Sequence, residues 1–311
     1  MERNTNHNGR YRCGILKTNA IMEFIGIIAA LSSAASWAFG TVVFEKLGKV
    51  IPYAGITFLK GIFSLSLMLF IVLICGDFKS INLHDSLVLT ASGIIGIAIG
   101  DSLFFKSLQD LGAKIQVLYF LLGQIVTMIL SFLLLGDVLS ISEYVGAIVL
   151  LIGIIIVTWG KQEDHPNKLR GIIGGFLSIL CFSISTIMIK YTDEQIDIIS
   201  ASFYRMLAGT IIMTIIGTTG RRMGAWISPL KDRKILTLFL VNVLVITVGG
   251  FILSMYAIKT ISVSLASVLS TTEPIFVILF AYLVNKETIK KKEIIGAIIS
   301  IVGLLFIVAH A

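Results

Sequence analysis

The chain has 311 residues, of which 56% are hydrophobic and 14% charged. A soluble domain carries nearer ~25% charged residues, so there is too little polar surface here to cover a water-soluble globule. The net charge is +7, but the Lys and Arg residues lie between apolar runs, where they anchor helix ends at lipid headgroups. This placement argues against nucleic acid as a partner.

Residues 1–21 read as a polar, basic tail. The apolar run behind it continues to TVVFEKLGK, which is the length of a spanning helix rather than a signal-peptide core. Met22 stands directly before that run, so the tail is expected to be dispensable. Spans of about 20 apolar residues are expected at 24–44, 52–75, 86–108, 115–135, 143–159, 171–189, 198–217, 235–258, 264–284 and 294–309. The fifth and tenth are short. The runs lack the alternation of barrel strands. The expected fold is therefore an all-α integral membrane protein with ten transmembrane helices, multi-pass in a cell membrane.

The polar stretch 160–170, GKQEDHPNKLR, divides the chain into units 22–159 and 171–309. A shift of 145 places Phe58, Leu59 and Lys60 on Phe203, Tyr204 and Arg205, Gly26 on Gly171, and Thr41 on Thr186. A shift of 150 places Gly100 on Gly250 and Asp137 on Glu287. It also places Glu143, Gly146 and Gly153 on Glu293, Gly296 and Gly303. The change of offset fits an insertion in the loop before 235–258. Five helices per unit is an odd number, so a duplicated unit runs through the bilayer in the opposite sense. Inverted repeats give two near-equivalent conformations with a site between the halves.

ASWAFGTVVFEK in the first span and GDVLSISEYVGAIVLLIGIIIV across the fourth and fifth carry a family resemblance. TTEPIFVILFAYLVNKETIKKKEIIGAIISIVGLLFI, through the ninth and tenth, carries it further. Over about residues 22–309 the chain resembles the ten-helix EamA-type members of the drug/metabolite transporter superfamily. The family pattern of Pro, a later acidic residue and a Gly in the next helix matches Pro274, Glu287 and Gly296. The chain departs from it at Gln124, opposite Pro274, at Lys60, where Arg is common, and at Lys286, where Gly is usual. The resemblance implies a transporter with both termini in the cytoplasm. The loops expected on the opposite side nevertheless hold more Lys and Arg, chiefly in 218–234 and 286–293, and the positive-inside rule points the other way.

Ionisable residues within the spans are Lys60, Asp101, Arg205 and Glu273. A charge there costs from about 2.5 kcal/mol upward unless it meets water or a partner. Lys60 and Arg205, equivalent in the repeat, read as gates or anion-attracting posts, or as snorkelling cations. Glu273 reads as a substrate or proton-coupling carboxylate ~13 Å along its helix, or as half of a salt bridge to Arg205. Asp101 reads as a proton or cation site, or as the partner of Lys60 or Lys106. Trp37, Tyr119, Gln124, Asn242 and Tyr256 are candidates to line a substrate pocket, with packing as the alternative. The glycines of the fifth and tenth spans suit either internal packing or a homodimer through those helices.

Cys13, Cys75 and Cys181 are widely spaced and the histidines lie outside the spans, so no metal site or cofactor is expected. No Walker sequence is present, and no enzymatic activity is expected. The sequence favours a secondary transporter of a small anionic or zwitterionic solute, such as an amino acid. The alternative is a multidrug or cation exporter using Glu273 in proton exchange. A remote third is an intramembrane aspartyl protease, because AIGD at 98–101 is faintly similar to the GxGD sequence of such enzymes; that chemistry needs a second aspartate.

Overall fold

The computed structural model describes residues 5–75, 81–135, 141–158, 167–189, 191–192, 196, 198–261, 269 and 272–308. Among them there are helices and no strands. In order these are α1 (Thr5–Leu47), α2 (Tyr53–Cys75), α3 (Leu83–Leu111), α4 (Ala113–Leu135), α5 (Ile141–Thr158), α6 (Lys168–Ile189) and α7 (Ile198–Thr219). A short α8 (Met223–Ile227) leads through a 3₁₀ turn (Ser228–Lys231) to α9, which runs over 233–260. Then come α10 (Glu273–Asn285) and α11 (Lys291–Val308). Seven helices are long and apolar enough to cross a bilayer, and Tyr144–Val157 and Glu273–Asn285 are shorter apolar helices. This is the backbone solution lipid demands, since each N–H and C=O is satisfied within its own segment.

Three features add to the expectations. Residues 5–21 are wound into α1, continuous with the apolar run, with Gly9 and Gly14 inside the helix. Of the expected helix 264–284, the stretch from Glu273 is described, with Pro274 in its first turn, while residues 264–268, 270 and 271 lie outside the described residues. Proline's fixed φ and missing N–H suit that position. The loop 218–234 is not merely a link: it folds into α8, whose Trp226 is 2% exposed and packs against Phe58 at a ring-centroid distance of 5.7 Å.

Two helices share an irregularity. Ile94–Asp101 in α3 and Val245–Ile252 in α9 are wound as π-helix. The shift of 150 brings the first segment onto the second to within one residue. π-turns widen a helix and re-aim its side chains, and here they sit on the faces that meet the other half. In α3 the glycines make the approach close. A Cβ on Gly93 would enter the Arg205 backbone of α7, one on Gly96 would enter Ser185 of α6, and one on Gly100 would stand 3.1 Å from the Phe182 ring.

The contacts recur in pairs under the two shifts. Gly100 faces Phe182 of α6, and its equivalent Gly250 faces Trp37 of α1, equivalent to Phe182. Ser92 Oγ donates to the Ser185 carbonyl at 2.8 Å, and the equivalent Asn242 Nδ2 donates to the equivalent Gly40 carbonyl at 3.2 Å. Gly171 lies against Asp110 and Leu111, and Gly26 against Thr260 and Ile261. In each pair the third long helix of one unit rests on the first helix of the other.

The glycine faces of α5 and α11 meet each other within the chain. Gly153 lies against the Gly296 carbonyl, with its Cβ position 2.7 Å away, and Gly303 lies equally close to the Gly146 carbonyl. Those small-residue faces are therefore occupied within the chain. The outward faces of the pair carry Ile148, Ile152, Ile295 and Ile298, all exposed.

Candidate functional site

The candidate site is built where α2, α3, α6 and α7 meet. Lys60 Nζ lies 2.7 Å from Asp101 Oδ2, and the two side chains are 18% and 11% exposed. The ammonium also stands 5.6 Å from the Phe105 ring centroid. Asp101 closes the π-turn of α3, and the wider winding carries its carboxylate towards α2. The next residue is Ser102, whose Oγ reaches Thr57 Oγ1 at 3.2 Å and Met213 Sδ at 3.7 Å, binding α3 to α2 and α7.

Arg205 approaches Asp101 from α7 and lies within its Coulombic field. Its Nη2 donates to Ser185 Oγ at 2.9 Å, while its Nε is buried with no hydrogen-bond partner among the described residues. Ser185 is itself held by Ser92, with Oγ atoms 2.9 Å apart and each hydroxyl 2.8 Å from the other's carbonyl. Asp101 is thus ion-paired with Lys60 and feels the charge of Arg205, in surroundings where an unmatched cation is expensive.

The other expected residues divide. Of the partners foreseen for Asp101, Lys60 is the one found; Lys106 instead stands 5.9 Å from the Tyr53 ring centroid. Asp101 is paired with cations, and no second carboxylate shares its site among the described residues, so the dyad of an aspartyl protease is not built there. Glu273 stands in the first turn of α10, and no salt bridge joins it to Arg205 among the described residues. A carboxylate is favoured at a helix N-terminus by the peptide dipoles. Trp37 is 37% exposed, with its indole edge on Gly250. The Tyr119 ring lies against Gly175, 3.1 Å from the Cβ position. Asn242 is fully buried, and its hydrogen bond to Gly40 makes it a fastener between α9 and α1. Tyr256 is 45% exposed, near the far end of α9. The Gln124 side chain lies outside the described residues.

Several polar groups escape sequence reasoning. The Gln116 amide and Thr210 Oγ1 are buried without hydrogen-bond partners among the described residues. At one end of the bundle, Lys114 Nζ lies 3.1 Å from Glu287 and 3.3 Å from Glu293, and donates to the Thr288 carbonyl at 2.9 Å. Glu45 accepts from the Ala113 N–H at 3.2 Å and from Asn285 Nδ2 at 3.0 Å. This polar cluster ties α1 and α4 to the turn between α10 and α11. The Glu45 of FEK and the Glu287 of NKE were visible in the sequence; their meeting depends on helix ends that sequence alone places only to within several residues.

The EamA-like transporter family profile matches the chain twice, over residues 24–159 and 169–309. The chain belongs to the EamA-like transporter family. It is a multi-pass membrane protein of the transporter class. It is 23% identical over 283 residues to an uncharacterized transporter of Archaeoglobus fulgidus, covering 90% of this chain and 97% of that protein. It is 24% identical over 304 residues to an uncharacterized transporter of Synechocystis, covering 91% of this chain and 85% of that one. One solved crystal structure, 15% identical in sequence, aligns at a TM-score of 0.55 over 94% of this chain and 96% of its own. That likeness concerns the fold alone.

Proposed function

We propose that this EamA-like transporter is a secondary carrier for a small anionic or zwitterionic metabolite, such as an amino acid. It works by alternating access between two inverted five-helix repeats, 22–159 and 171–309. The observation that carries the substrate reading is the Lys60–Asp101–Arg205 cluster, two cations around one carboxylate within the spans. A substrate carboxylate or phosphate supplies the missing negative charge. A zwitterion adds an ammonium that competes for Asp101.

The paired contacts support inversion. The start of α1 lies against the end of α9, and the start of α6 against the end of α3. Asp110 at the end of α3 holds Arg170 of α6 at 2.6 Å, and Glu45 at the end of α1 binds the start of α4. The first helices of the two units therefore begin at opposite ends of the bundle. Exchanging the two sets of contacts turns a molecule closed at one end into one closed at the other.

The test is uptake into proteoliposomes across a panel of anionic, zwitterionic and lipophilic cationic solutes. Saturable uptake of a metabolite from the first two classes, stimulated by counter-substrate, is expected. Lys60→Met and Arg205→Met should each reduce it at least ~10-fold, about 1.4 kcal/mol, with the protein still inserted and monodisperse. Wild-type flux in both variants would sink the anion-site reading. A second reading, proton-coupled export of cations, draws on Glu273, which has no ion-pair partner among the described residues. Transport of lipophilic cations that is lost in Glu273→Gln but kept in Lys60→Met would favour it.

A further inference from the structure

We propose that the groove between the last turns of α3 and the first turns of α6 binds an anionic phospholipid. Its phosphate would sit between Lys106 and Arg170, and one acyl chain would lie along Leu103, Ile173 and Leu177. The groove encloses about 470 Å³ and opens sideways from the bundle. Polar groups, Lys106, Arg170 and Asn167, gather at its helix-end side, and the apolar residues follow along the helices. That order, charge at the headgroup level and hydrocarbon below it, matches a lipid rather than a free solute.

The cations are available. Lys106 has no carboxylate partner among the described residues; its ammonium rests near the Tyr53 ring. Arg170 is held by Asp110 through Nε at 2.7 Å and Nη2 at 2.6 Å, and its side chain is 52% exposed. That grip fixes the guanidinium plane while leaving its other amino group to meet a phosphate. Ile173 and Leu177, one helical turn apart, are 51% and 42% exposed, as a lipid-facing strip requires.

The repeat supplies a control inside the molecule. The equivalent groove lies between the end of α9 and the start of α1. There Tyr256 stands for Lys106, Ile25 for Arg170 and Glu23 for Lys168. The same helix crossing, with Gly26 in place of Gly171, packs without any of these cations. The crossing itself thus forms without them; Arg170 also holds Asp110, whereas Lys106 has no carboxylate partner among the described residues and is available to a ligand. The basic groove belongs to one leaflet, so the site selects lipid in one leaflet only. It shares no residue with the Lys60–Asp101–Arg205 cluster.

The experiment is thermal unfolding and native mass spectrometry of the full chain in detergent. The probes are phosphatidylglycerol, phosphatidylcholine and soluble glycerol phosphate. Phosphatidylglycerol should raise Tm and stay bound, while the other two should not. Lys106→Gln should weaken its retention at least about tenfold, the equivalent of ~1.4 kcal/mol, and Ile173→Trp, which fills the groove, should do the same. Lys234→Gln, an exposed lysine elsewhere, should leave retention unchanged. Equal effects of phosphatidylcholine and phosphatidylglycerol would overturn the proposal. So would an equal shift from glycerol phosphate, which marks a free-anion site, or undiminished retention in both groove variants.

Discussion

At the scale of single residues, the pair Lys60–Asp101 carries the most consequence. Its members come from different helices, and each is mostly buried. Removing one partner leaves the other as an uncompensated charge away from water, which costs about 3–5 kcal/mol, whereas replacing both by apolar groups of similar size is often neutral. Asp101→Leu alone should therefore lower Tm in detergent markedly, and Lys60→Met with Asp101→Leu should recover much of it. The recovery has a second readout. The double variant should be stable yet inactive, because it lacks the charges that meet substrate in our proposed reading. A double variant as unstable as Asp101→Leu would mean that the pair is not the unit of stability at this position. Either charge could be seen in the sequence, and so could the fact that each is costly in lipid. Their pairing could not, because it depends on the π-turn that redirects Asp101, and the composition of IIGIAIGD does not distinguish π from α winding.

At the scale of elements, helix packing in lipid has no large hydrophobic term, and close backbone approach supplies the attraction. The crossing of α5 and α11 is the clearest case. Glycines 146, 153, 296 and 303 let the two backbones touch, with carbonyls at the very positions a Cβ would claim. Gly153→Leu must push the helices apart, and overpacking of that kind costs about 1–3 kcal/mol or more. The expected result is a lower Tm in detergent, with little change for Leu151→Ala, a residue that is 39% exposed. These glycines were legible in the sequence as a packing stripe; whether the partner was a second copy or the other half was not, since spacing defines a face without saying what covers it. Helix lengths were legible because apolar runs of about 20 residues mark membrane spans.

The cluster around Lys114 also belongs to this scale. It joins α4 to the α10–α11 turn through Glu287 and Glu293. Partial exposure of Glu287, at 34%, weakens its share through solvent screening, so the contact is suited to opening and closing. Lys114→Met should increase the reactivity of a cysteine placed at Asn285 towards a water-soluble maleimide. Unchanged reactivity would show that this end of the bundle is held by other contacts.

For the whole molecule, the decisive property is the sense in which the two units cross the membrane. The duplicated positions, the π-turns at equivalent places and the exchanged contacts all follow from one assumption, that the second unit is the first turned over about an axis in the membrane plane. Glu23 and Lys168 are equivalent under the shift of 145, both are exposed, and each stands near the point where its unit's first helix enters the bundle. With Cys13, Cys75 and Cys181 replaced by Ser, single cysteines at Glu23 and at Lys168 should react with an impermeant maleimide from opposite sides of the membrane. Reaction from the same side would break the inversion, and with it the reason for two equivalent end states. The same labelling decides orientation, where two physical expectations collide. The family resemblance puts the Glu23 side in the cytoplasm. The excess of Lys and Arg in 218–234 and 286–293 puts the Lys168 side there. Other cations of that side are held within the fold, Lys114 by Glu287 and Glu293 and Arg170 by Asp110, but none of them lies in 218–234 or 286–293. Cytoplasmic labelling at Glu23 therefore upholds the resemblance, and cytoplasmic labelling at Lys168 upholds the charge rule.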